Sequence, residues 1–294
     1  MKLILFSLIV FMGTFSFGQT SAELLKNIQS QFASQKGIFA MAYRNIATGE
    51  TLLINEHENF HAASTMKTPV MIEIFKQVAA GKLSFTDSVI IKNEFKSIVD
   101  GSSYRLSAED DSEQDLYKKV GSKTTIYDLV YRMIIMSSNL ATNMLIEMAD
   151  GKKVTRTMRK LGAKDIQVRR GVEDNKAFAL GLNNTTTAFD LMVIFTKMAE
   201  GKIINKKAGN DMINILLDQK HNDLIPSKLP AEVKVAHKTG FIKGVHHDSG
   251  IVFLPDGQKY VLVILSKNLE DEKAGVESIG AVSEMIYHYV ISRK

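Results

Sequence analysis

Strand-like patterning is confined to the two ends of this chain. Residues 38–43 and 51–54 lie near the start, and 233–237, 250–254 and 260–265 near the end. All are short apolar runs bounded by turn formers. A two-stranded hairpin is marginal by itself, so the first pair must join the last three in one sheet. Turns at 45–49 and at Pro255–Asp256–Gly257 make the local connections antiparallel. Between the two ends, helical spacing dominates: 68–80, 125–136, 139–148, 154–161, a helix capped at Thr185–Thr187 and running to Met198, and 208–217. Helices at 22–32 and 276–291 flank the strands. The expected fold is therefore α+β, an antiparallel sheet with flanking terminal helices and an inserted all-α lobe. We expect a single domain over 19–294, its α/β lobe formed by 19–62 and 220–294 and its all-α lobe by 63–219.

The first residues have the form of an export signal. Lys2 precedes an apolar run from Leu3 to Met12, and Ser16 and Gly18 stand where a signal peptidase reads small residues. Residues 1–18 are expected to be removed, giving a periplasmic or secreted protein without stable membrane insertion. There is no cysteine, which excludes disulfides, thiol nucleophiles and thiolate metal sites. Net charge is +5 with Lys and Arg scattered, and no basic stripe interleaved with aromatics points to nucleic acid.

Three short stretches could carry chemistry. In "HAASTMKTPV", Ser64 stands three residues before Lys67 at the start of an apolar helix. Serine in that place is most often an N-cap. It could equally be a nucleophile one turn from its base, if burial or a second cation lowers the lysine pKa. In "MSSNLATNML", Ser137 and Asn139 fall between two helices, where Ser137 could pass a proton and Asn139 could hold Lys67 and a substrate amide. In "AHKTGFIKG", Lys238 would be the second cation, with Thr239 a carboxylate partner and Gly240 leaving room beside a strand. Each stretch alone is more often a helix cap or an exposed strand end.

Together, in this order, they resemble the S-x-x-K, S-D-N, K-T-G set of penicillin-binding proteins and class A β-lactamases, with Ser138 in place of the aspartate. "FHAASTMK", "TTIYDLVYRMIIMSSNLATNMLI" and "NNTTTA" extend the resemblance over nearly all of the mature length. The resemblance implies the β-lactamase/transpeptidase-like fold and a Ser64 acyl-enzyme. It also implies an oxyanion held by the backbone N–H groups of Ser64 and Phe241, and proton delivery to the leaving nitrogen by Ser137. The substrate would be a small β-lactam or a cell-wall peptide, bound through Asn139, Lys238, Thr239, Gly240 and Phe241, without cofactor or metal, by a monomer.

Class A enzymes use an omega-loop glutamate to position the deacylating water. In "VRRGVEDNKAFALGLNNTTTA", Glu173 is the candidate, with Asp174 beside it, yet ungapped counting places Gly171 at the family position. Asn184 replaces an aspartate that commonly pairs with an arginine, so a weaker clamp to Arg169 or Arg170 is expected. A D-alanyl-D-alanine carboxypeptidase-like enzyme, or a binder that stays acylated, therefore remains the alternative to a β-lactamase. His246, His247 and Asp248 lie together, but neighbours on a strand face opposite ways, so a zinc site is not expected.

Overall fold

The computed structural model describes residues 19–293. The export signal expected at 1–18 lies outside them. In chain order, α1 (Ser21–Ala33) leads into the hairpin of β1 (Ile38–Asn45) and β2 (Thr51–Ile54), then β3 (Phe60–His61). A 3₁₀ turn at Ala63–Met66 runs directly into α2 (Lys67–Ala79). Short strands β4 (Ser88–Ile90), β5 (Phe95–Lys96), β6 (Ser103–Tyr104) and β7 (Lys123–Thr125) precede α3 (Ile126–Ile135), α4 (Asn139–Ala149) and α5 (Gly151–Leu161). Then come α6 (Asn175–Ala179), β8 (Thr185–Thr186), α7 (Ala188–Ala199) and α8 (Lys206–Leu217). The chain closes with β9 (Lys234–Ile242), β10 (Val245–Phe253), β11 (Lys259–Lys267) and α9 (Glu272–Ile291).

The five long strands form one antiparallel sheet in the order β2-β1-β11-β10-β9. The expected pairing of the two chain ends is thus made by β1 against β11. Side chains of β11 alternate between two cores. Tyr260, Leu262 and Ile264 pack with Leu24 and Ile28 of α1 and Ile279, Val282 and Ile286 of α9. Val261, Val263 and Leu265 face the other way, into the core shared with the helical middle, where Leu191, Ile194 and Phe195 of α7 lie. A strand buried on both faces reads as a continuous apolar run, which is why 260–265 is legible as a strand but not as an amphipathic one.

α2 runs through the middle of the second core. Val70, Met71, Ile72, Ile74 and Phe75 are all buried, and the polar residues Glu73, Lys76 and Gln77 gather on one side, Lys76 and Gln77 both bonding to Glu73. Its first residue, Lys67, is carried into the interior with it and has no exposed surface.

The strands of the last third are longer than their apolar runs suggest. β9 continues through Lys238–Thr239–Gly240 to Ile242, and β10 begins at Val245. The intervening turn uses Gly244 at φ 73°. Polar residues at 238, 239 and 246–249 hid these extensions, because they face the cleft or a buried hydrogen-bond partner instead of solvent. The acidic run at 109–115 also departs from a plain surface loop: Asp111 and Glu113 are buried, Asp111 bonding to the start of α4 and Glu113 to Arg132.

β9 and β10 approach each other closely at Gly250, where an added Cβ would stand 2.5 Å from the Ala236 carbonyl oxygen. Gly250→Ala is expected to destabilise the fold by ~1–3 kcal/mol through overpacking. A urea midpoint unchanged from wild type would show that the strand pair can spread.

Candidate active site

The sequence places Ser64, Lys67, Ser137, Asn139, Glu173, Lys238, Thr239, Gly240 and Phe241 on four separate stretches. The fold brings them to one cleft of about 990 Å³. Ser64, Ser137, Asn139, Glu173, Thr239, Gly240 and Phe241 line it. Lys67 and Lys238 lie fully buried beneath its floor.

Ser64 sits within the 3₁₀ turn, one turn before α2. Ala63, just ahead of it, holds φ 44°, a left-handed backbone that costs a residue with a Cβ roughly 1–2 kcal/mol. The turn is pressed against β9. A Cβ at position 240 would fall 3.1 Å from the backbone nitrogens of both Ser64 and Thr65, so any larger residue would push the turn back by a few tenths of an ångström.

Lys67 uses its amine fully. Nζ donates to the Ser137 carbonyl at 2.6 Å and to Asn139 Oδ1 at 2.9 Å, and lies 3.1 Å from Ser137 Oγ, to which the charged amine donates and from which the neutral amine accepts. Ser137 is free to be there because Ser138, not Ser137, caps α4 by accepting from Ala141 N. Ser137 itself turns the chain between α3 and α4 at φ 59°. Lys238 reaches the same hydroxyl from the opposite side, 3.1 Å from Ser137 Oγ, and also donates to the Thr239 carbonyl at 2.8 Å.

Two buried amines meeting at one hydroxyl disfavour two positive charges. Burial pulls the Lys67 pKa down to about 7, with Asp111 and Glu173 acting in the other direction. Burial, then the charge of Lys67, hold Lys238 well below the ordinary lysine value. The main cause for Lys67 is therefore desolvation by the core around α2, with the second lysine repelled in turn. Among the described residues no carboxylate is in ion-pair contact with either amine.

Glu173 and Asp174 are adjacent but do opposite things. Asp174 is buried and accepts from Ser97 Oγ at 2.8 Å, Ile98 N at 2.9 Å and Ala177 N at 3.2 Å, so it caps α6 and ties the loop to residues 97–98. Glu173, at φ 61°, turns into the cleft. Its Oε2 accepts from Ser107 N at 3.4 Å, its Oε1 is buried without a donor, and burial raises its pKa.

The loop is not clamped by an arginine side chain on Asn184. Instead Asn184 Oδ1 accepts from the backbone nitrogens of Arg169 and Arg170 at 2.7 and 3.1 Å, and its Nδ2 donates to the Arg170 carbonyl. The expectation of a weakened arginine clamp therefore gives way to a different one, an amide bonded to main chain. His246 and His247 indeed diverge: His247 is buried against the His61 carbonyl, while His246 faces Phe241 and Glu272.

Two positioning side chains escaped the sequence analysis. Asp111 Oδ2 accepts from Asn139 N and Leu140 N at 2.8 and 3.0 Å, fixing the start of α4 from a distant loop. Nothing in the acidic run distinguishes it from its neighbours. Asn143 holds the Val172 backbone through both its amide atoms. It lies four residues after Asn139 in an otherwise apolar helix, and that i,i+4 polar pair was a readable signal.

The profile of the beta-lactamase enzyme family matches residues 23–290. The chain belongs to this family. Among curated relatives it is similar to Beta-lactamase VEB-1 of Pseudomonas aeruginosa, at 23% identity over 99% of this chain and 97% of that one. It is also similar to a beta-lactamase of Bacteroides uniformis, at 24% identity over 92% of each. Among solved structures, PBP-A superposes with a TM-score of 0.78 at 26% identity, covering 92% of this chain and 96% of that one. A mutant of PBP-A in an acyl-enzyme complex with penicillin G superposes at 0.79, with 26% identity and 92% and 97% of the two chains covered. The fold is that of the serine β-lactamases and penicillin-binding proteins, as the order of motifs led one to expect.

Within this β-lactamase family member, the loop geometry separates the two acids by experiment. Asp174→Ala should cost ~1–3 kcal/mol of stability, because three donors lose their acceptor. Urea denaturation measures this. A full-stability variant would show that Asp174 is not the anchor.

Proposed function

We propose that the protein is an exported serine β-lactamase of the class A type, acting through a Ser64 acyl-enzyme. The observation that carries this reading is the convergence of Lys67 and Lys238 on Ser137 Oγ, with Asn139 holding Lys67, beneath a cleft that Ser64 and Glu173 both line.

The chemistry follows from the proton positions. Neutral Lys67 accepts the Ser64 hydroxyl proton, and Oγ attacks the lactam carbonyl. The oxyanion is met by the backbone N–H groups of Ser64 and Phe241. Collapse breaks the carbonyl–nitrogen bond. The nitrogen takes the Ser137 hydroxyl proton, and Lys67 returns one to Ser137 across their 3.1 Å contact. Ser64 is now an ester. Glu173 then takes a proton from water as the water attacks that ester, and Ser64 leaves with the proton restored. The product is the ring-opened acid.

Thr239 borders the cleft and Lys238 is buried behind it, so a substrate carboxylate would contact the Thr239 side chain and feel Lys238 through Ser137. Asn139 Oδ1 is engaged by Lys67, which leaves its NH₂ group for a substrate carbonyl.

A D-alanyl-D-alanine carboxypeptidase-like or other penicillin-binding hydrolase is the second reading. It is favoured by the Asn143 clamp, which grips Val172 and leaves Glu173 one residue beyond the fixed point, and by the likeness to PBP-A.

Intact-mass labelling with penicillin separates them. Ser64→Ala should take up no label, and an adduct on that variant would remove Ser64 as nucleophile. Glu173→Gln should acylate and then stall with one equivalent bound, its turnover down ~10²–10⁴-fold for a lost general base. A wild type that itself accumulates the acyl-enzyme supports the second reading.

The rate of acylation should rise as pH increases through about 7, because only the deprotonated Lys67 amine accepts a proton. Single-turnover acylation that stays flat across that range would exclude Lys67 as the base.

A further inference from the structure

We propose that His61 and His247 are positioning residues that hold the turn carrying Ser64, and that they do so as two neutral rings in one fixed tautomer. The proposal rests on Ser64 being the nucleophile.

Three hydrogen bonds run in series from the sheet to the turn. Ser266 N donates to His247 Nδ1 at 3.2 Å. His247 Nε2 meets the His61 carbonyl oxygen at 2.9 Å. Ala63 N donates to His61 Nδ1 at 3.0 Å. The roles are not interchangeable. A backbone N–H only donates, so each Nδ1 must offer a lone pair. A carbonyl oxygen only accepts, so His247 Nε2 must carry the proton. The His246 carbonyl, 3.0 Å from His247 Nδ1, competes for that nitrogen by favouring a proton on it, and the chain of bonds requires that the Ser266 amide prevail. His247 is fully buried and His61 half-buried, and among the described residues no acid forms an ion pair with either ring. Burial, with Arg170 nearby in the case of His61, pushes both rings down to about 4, in keeping with neutral imidazoles.

The position of this chain of bonds gives it a function. His247 pairs in register with Gly240 across β10 and β9. Gly240 is the residue whose bare backbone lies against Ser64 N. The same strand pair therefore touches the nucleophile turn twice, directly at Gly240 and through His247 and His61 at Ala63. Between these contacts sits the one left-handed residue before Ser64, with φ 44°. The Ala62 N–H is held separately by the Asn184 carbonyl at 2.8 Å. Without an acceptor at His61 Nδ1, the Ala63 peptide has no bond to keep it left-handed. Ser64 Oγ and N would then drift relative to Phe241. Small displacements of reacting atoms lower rates steeply.

The residue-type requirement is specific. A side-chain acceptor bonded to the N–H two residues ahead is the geometry of an Asx turn. Asparagine at 61 can reproduce it, and leucine cannot.

The test uses the full-length mature protein and penicillin. His61→Leu should slow acylation of Ser64 by about ten- to a hundredfold with little change in the apparent dissociation constant, and His61→Asn should recover most of the rate. The imidazole nitrogens, read by two-bond ¹H–¹⁵N correlation, should show both rings as the Nε2–H tautomer. The Ala63 amide should be protected from exchange in wild type and His61→Asn, and exposed in His61→Leu. Wild-type acylation rates in His61→Leu, equal loss in both variants, or an Nδ1–H tautomer in either ring would overturn the proposal. Should penicillin label no serine in wild type, the nucleophile assignment fails by itself, while the tautomers and Ala63 protection still decide whether the bond chain exists.

Discussion

Everything in this cleft depends on two lysine amines being kept out of water. Ordinary lysines are charged at neutral pH and cannot accept a proton. Burial at the start of α2 brings the Lys67 pKa down to about 7, and Lys238 enters from the sheet to share Ser137 with it. Burying such groups costs stability, and removing their partners would cost more. The fold tolerates them because both amines have all of their partners in protein: a carbonyl, a hydroxyl and an amide for one, a hydroxyl and a carbonyl for the other. Both lysines are thus held by acceptors and tuned by burial, and among the described residues neither forms an ion pair.

Backbone strain accompanies the same residues. Ala63, Ser137 and Glu173 all have positive φ although none is glycine. Such conformations cost about 1–3 kcal/mol each and persist only where surroundings over-determine them. Here the surroundings can be named. Ala63 is held by His61, the residue after Ser137 caps α4 with Asp111 bonding that helix's first amides, and Glu173 lies between a peptide gripped by Asn143 and a carboxylate that caps α6. Each strained residue points a side chain, or the side chain next to it, into the cleft.

This pattern explains what could be read from the sequence. The sheet, its terminal helices and the motif lysines and serines were legible because apolar runs, caps and short spacings are local signals. Asp111, Asn143 and His61 act on partners far away in the chain, at Asn139, Val172 and the sheet, or through a ring nitrogen that no composition reveals. The strand ends at 238–242 and 245–249 were illegible for a related reason. Their polar residues are buried and bonded, as with Lys238 to Ser137 and Asp248 to His237 and the Ile225 amide, so they break the apolar pattern without leaving the strand. The histidine pair at 246–247 looked like a metal motif and resolved into one ring facing Phe241 and Glu272 and one facing the interior.

The loop that carries Glu173 is fastened by side chains on main chain, and this bears on its chemistry. Asn184 holds the peptides of Arg169 and Arg170, Asn143 holds Val172, and Asp174 holds Ser97 and Ile98. None of these contacts is an ion pair between exposed groups, so salt screens them little. The Arg170 side chain bonds to Asn183 across the loop and not to Asn184. It stands buried under Phe178, its guanidinium 5.6 Å from the ring and bonded to Gly171 and Asn183. A loop fixed in this way defines the backbone at 172 and 174 from two sides. The Glu173 carboxylate between them meets Ser107 N at 3.4 Å and the side chain of Asn139. The fold thus fixes the backbone on either side of Glu173 while leaving one of its carboxylate oxygens buried without a donor, and burial raises its pKa.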